Sequence, residues 1–68
     1  MVNTDKIRGI MAEKKITGRD MAKALGISAN TFSAKMKAGI FTTDEMQKIV
    51  DTLSIEDPTP IFFAQKVT

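Results

Sequence analysis

The 68-residue chain contains neither cysteine nor histidine. Without cysteine there are no disulfides or thiolate metal sites to supplement a small core, and without histidine the commonest metal ligand and general base is missing. No stretch of eighteen uninterrupted apolar residues occurs, nor an N-terminal basic segment followed by a long apolar run. A membrane span and a signal peptide are therefore not expected, and a soluble, cytoplasmic chain is. A glycine-rich phosphate loop is absent as well. The adjacent acids Asp44-Glu45 and Glu56-Asp57 fall at expected helix starts, where capping and the helix dipole account for them. Neither an enzyme nor a cofactor is expected, and one small domain stabilised by packing alone is.

What is present is unevenly distributed. The net charge is +2, yet residues 1–40 hold eight Lys or Arg against three acids, a balance of +5, while residues 41–68 hold two against five, a balance of −3. One end of the molecule can face a polyanion while the other faces something else.

Apolar residues recur at intervals of three and four, the spacing of helices. Ile7, Ile10 and Met11 mark a first helix from about Thr4 to Lys15. Met21, Ala22 and Leu25 mark a second, Phe32 and Met36 a third, and Met46, Ile49, Val50 and Leu53 a fourth. Three of the starts share one pattern: Ile16-Thr17-Gly18-Arg19-Asp20-Met21, Ile27-Ser28-Ala29-Asn30-Thr31-Phe32 and Phe41-Thr42-Thr43-Asp44-Glu45-Met46. In each a hydroxyl can cap free backbone N–H groups, and flanking apolar residues can close as a staple. Asp20 and Glu45 can reach back to complete a capping box; Thr31 cannot do so well, leaving the third helix with the weakest start. Gly26 and Gly39 suit the left-handed residues that stop the second and third helices.

Only Gly26 and Ile27 connect Leu25 to Ser28. So short a link turns the third helix sharply across the second, which is a helix-turn-helix. Ala22 allows the close approach. The third helix is otherwise built of small polar residues and lysines.

The segment ITGRDMAKALGISANTFSAKMKAG resembles the helix-turn-helix of the Cro and phage-repressor type, also called the xenobiotic-response-element family. Its core is the ordered set Ala22, Leu25, Gly26, Ile27, Ser28, Phe32 and Met36, within a region of roughly residues 4 to 55. The short length and the apolar IFF of residues 61–63 are similar to short Cro-like regulators of temperate phages and prophages. The resemblance implies an all-α, lambda-repressor-like bundle of four main helices with a short fifth allowed. Residues 1–55 would form the helix-turn-helix domain and 56–68 an apolar tail.

It further implies a sequence-specific regulator whose recognition helix, residues 28–38, lies in the major groove of operator DNA. Base contacts then fall to Ser28, Ala29, Asn30, Ser33, Ala34 and Lys37. Asn30 can pair both ways with adenine, and the alanine methyls can meet a thymine methyl. Phosphate contacts fall to Gly18, Arg19, Lys23 and Lys35. The chain departs from the family at Gly18, where glutamine often opens the second helix, and at Ala29 and Ala34, where longer side chains commonly read bases. That sparse readout keeps a second function open, in which the same surface masks the DNA face of a partner repressor, as an antirepressor does.

The tail is open to two readings. Asp57 can cap a short turn with Pro58 at its first position, tolerant of Pro60. Ile61 and one phenylalanine can close the core, or the remainder of Ile61, Phe62, Phe63 and Val67 can form a homodimer contact.

Overall fold

A computed structural model describes residues 2–62 of the chain, and among them all regular structure is helical. The order is α1 (Thr4–Lys14), α2 (Gly18–Leu25), α3 (Ala29–Ala38), α4 (Thr43–Leu53) and α5 (Thr59–Phe62). Phe63 and Val67, included in the dimer reading of the tail, lie outside the described residues.

Each boundary has a local cause. The Asn3 side chain accepts the Lys6 N–H at 3.2 Å and starts α1, a cap that the sequence pattern above did not single out. Two full capping boxes start α2 and α4: Thr17 and Asp20 exchange bonds of 3.0 and 3.1 Å, and Thr42 and Glu45 exchange bonds of 2.8 and 3.1 Å. The start of α3 is one-sided. Ser28 accepts the Thr31 N–H at 3.1 Å but nothing returns to its own N–H from Thr31, whose hydroxyl oxygen instead accepts the Ser28 hydroxyl at 2.9 Å.

Two ends differ from expectation. α1 stops at Lys14, one residue early, because Lys15 turns left-handed (φ 59°, ψ 39°) and its N–H closes on Ala12 and Met11 carbonyls. α5 begins at Thr59 and not at Pro58. The Pro58 carbonyl accepts both the Ile61 and Phe62 N–H groups at 3.0 Å, so proline precedes the helix, and Asp57 accepts the Thr59 N–H at 3.1 Å. Pro60 sits in the first turn, where its missing N–H removes no helical bond.

Ile7, Met21, Ile49, Leu53 and Ile61, drawn from four helices, are the most deeply buried side chains. Phe32 and Phe41 pack with ring centres 6.2 Å apart and planes tilted by 47°, a favourable aromatic geometry. Ile10, Met46 and Val50 are only half-buried at the core's edge, as expected of a bundle too small to enclose every apolar flank. Within this frame α2 packs on α3 and α4, and α1 packs on α4 and α5. Ile61 and Phe62 are both buried in the common core.

Candidate nucleic-acid interface

The turn between α2 and α3 is made at Gly26, whose φ of 75° and ψ of 28° lie in the left-handed region. A side chain there would press on the following carbonyl, which glycine avoids. Ala22, 2 % exposed, sits below the turn, and its carbonyl accepts the Ile27 N–H at 3.0 Å. Ile27 is half-buried against the core. Gly39 ends α3 in the same left-handed way (φ 71°, ψ 29°).

With Phe32 and Met36 buried, the opposite side of α3 is turned outward. Asn30, Ser33, Ala34 and Lys37 are all exposed, and their spacing of three, one and three residues aligns them in one stripe along the helix. Ala29 and Ser33 border a shallow cavity of about 260 Å³ that is also lined by Gly18 and Arg19 from α2 and Arg8 from α1. The structure thus brings the start of α2 beside the near end of the α3 stripe. Lys23 is exposed further along α2.

Two of the residues expected at the site are already engaged. The Ser28 hydroxyl caps α3 by accepting the Thr31 N–H and also pairs with the Thr31 hydroxyl. Lys35 is half-buried, and its Nζ lies 3.3 Å from Glu45 Oε1. Among the described residues the only other ion pair joins Arg8 and Asp5 at 3.2 Å, so Arg19, Lys23 and Lys37 have no carboxylate partner there.

Arg8 also lines the shallow cavity, a placement that sequence reasoning missed. It sits on the first helix, away from the helix-turn-helix motif, and only the docking of α1 beside α2 and α3 brings it to the cavity. No local signal in the sequence marks it.

The acids of the region serve the helix starts. Hydrogen bonding from the Thr17 N–H, with Lys23 and Arg19 nearby, holds the Asp20 carboxyl below its ordinary value. Glu45 is likewise lowered, first by the Thr42 N–H and then by Lys35. Among the described residues there is no group of three or more potential metal ligands and no helix long and apolar enough to cross a membrane.

A family model of the Cro/C1-type helix-turn-helix (HTH) DNA-binding domain matches residues 6–59. The match runs from α1 to the first residue of α5 and contains every candidate interface residue. No curated protein and no solved structure gives a significant match.

Proposed function

Because the chain belongs to the Cro/C1-type HTH DNA-binding domain family, we propose that it is a sequence-specific transcriptional regulator of the Cro or repressor type, serving a phage or prophage genetic switch in the bacterial cytoplasm. The observation that carries this reading is the exposed stripe Asn30, Ser33, Ala34 and Lys37 lying beside the start of α2. With residues 28–38 in the major groove, Asn30 pairs with adenine, Ser33 contacts base or phosphate, and the methyls of Ala29 and Ala34 meet thymine. The Gly18 N–H, Arg19 and Lys23 hold the phosphates and set the docking angle. A palindromic operator is then read by two copies, each on one half-site.

A second reading has two observations in its favour. Ala29 and Ala34 leave little direct readout, and Ile40, just beyond α3, is 67 % exposed, as suits an antirepressor that covers a partner repressor. Salt separates the two, because binding that releases phosphate counterions weakens steeply as salt rises whereas an apolar protein contact does not. The test titrates the protein against duplex DNA from the flank of its own gene at low and physiological salt, with scrambled duplex as competitor. Specific, salt-sensitive binding is expected. If scrambled DNA competes equally or nothing binds, the regulator reading fails and the neighbouring repressor becomes the ligand to test.

A further inference from the structure

We infer that Lys35 positions the recognition helix through Glu45 and is not a phosphate contact, an assignment that rests on the DNA-binding reading above. Residues 35 and 37 are about 200° apart around α3 at 100° per residue. Lys37 falls on the outward stripe and is exposed, whereas Lys35 lies on the flank turned toward α4 and is half-buried. Its side chain is 29 % exposed and that of Glu45 14 %, with Nζ and Oε1 3.3 Å apart.

The same Oε1 accepts the Thr42 N–H at 2.8 Å. One carboxylate oxygen therefore closes the capping box of α4 and receives the ammonium of α3. This side-chain bridge spans the Gly39–Phe41 connection, tying the last turns of the recognition helix to the first turn of α4. Otherwise α3 is seated chiefly on α2, with the Phe32–Phe41 ring pair near its middle. A rotation of α3 that carried Asn30 and Ser33 away from their bases would have to break the bridge. A phosphate that recruited Lys35 would likewise have to draw it off a carboxylate already shielded from water, and would release less counterion than a free lysine does.

The experiment compares the native chain with Lys35→Met, Lys35→Arg and Glu45→Gln, and with the Lys35→Met, Glu45→Gln double variant. Each is titrated over a salt series on a duplex selected by the native chain from a randomised pool and on a scrambled duplex. Glutamine can still accept the Thr42 N–H, so Glu45→Gln preserves the cap and removes only the charge. Circular dichroism establishes that each variant is folded at the assay temperature.

Lys35→Met and Glu45→Gln are each expected to lower affinity for the selected duplex roughly fivefold, and the double variant to fall no further than either. Lys35→Arg retains native affinity. Binding to scrambled duplex and the dependence of log affinity on log salt stay unchanged throughout. The assignment is overturned if Lys35→Met reduces that slope by about one, the mark of a lost phosphate contact, or if Glu45→Gln tightens binding by freeing the lysine. Equal losses on both duplexes, or no loss on either, overturn it too. Failure of the native chain to select any duplex removes the DNA reading itself and this assignment with it.

Discussion

At Gly26 the backbone stands at φ 75°, and an alanine there would bring its Cβ against the following carbonyl. Gly9 is in the middle of α1, has no positive φ, and a Cβ added to it meets no atom within 4 Å. The same substitution should therefore have opposite signs at the two sites. Gly26→Ala is expected to cost about 1–2 kcal/mol, and Gly9→Ala to add about 0.5–1 kcal/mol by raising helix propensity. Urea unfolding of the two variants measures both. Asn30 and Lys37 are exposed and so separable from stability. Asn30→Ala combined with Lys37→Ala should leave the melting temperature unchanged while weakening specific DNA binding by about 1–3 kcal/mol, the worth of a bidentate base contact; unchanged affinity would remove both from the interface. Gly26 was legible because Leu25 and Ser28 leave only two residues for a corner. Arg8 and the Lys35–Glu45 pair were not, because their partners are chosen by how separate helices dock, and nothing in local spacing encodes that.

Helix starts were the most legible elements, since a cap is settled within four residues and needs no tertiary contact. Thr17 with Asp20 and Thr42 with Glu45 close as two-way boxes, and Ser28, facing Thr31 in place of an acid, closes one way only. The boxes give the fold a pH dependence of definite sign. Asp20 and Glu45 are held below their ordinary values of 3.8 and 4.5, so the folded state binds these protons less readily than the unfolded chain. Their contribution is complete above those ordinary values and disappears as pH falls through the lower, folded ones. Urea midpoints should thus decline below about pH 4.5, and the decline should be shallower in a variant carrying Asp20→Asn and Glu45→Gln. A variant with the native profile would locate the acid sensitivity elsewhere. The ends of α1 and α5 were less legible. A lysine rather than a glycine takes the left-handed turn at residue 15, and Pro58 serves through its carbonyl, a role that residue type does not announce.

On the scale of the molecule, the tail left two readings open in the sequence because Ile61 and Phe62 are apolar under both. The structure encloses them, at 1 % and 7 % exposure. Their helix is also wired to the opposite end of the chain: the Asn3 N–H donates to the Ile61 carbonyl at 2.7 Å, and the adjacent Val2 N–H donates to the Gly39 carbonyl at 3.2 Å. The segment that precedes α1 thus bridges α5 and the end of α3, so loss of α5 should be felt in α3 as well as in the core. Burying an isoleucine and a phenylalanine stabilises by about 1.5–3 kcal/mol each, against a total stability of about 3–10 kcal/mol for a domain of this size. A chain ending at Asp57 should therefore lose most of its margin, melting at a much lower temperature and with little cooperativity by circular dichroism, although residues 4–53 keep all four long helices. Under the proposed function its DNA binding should return on cooling or with a stabilising osmolyte, since α2 and α3 are themselves untouched. A truncated chain that melts like the intact one would show that the first four helices form a self-sufficient core and that the enclosure of Ile61 and Phe62 contributes little.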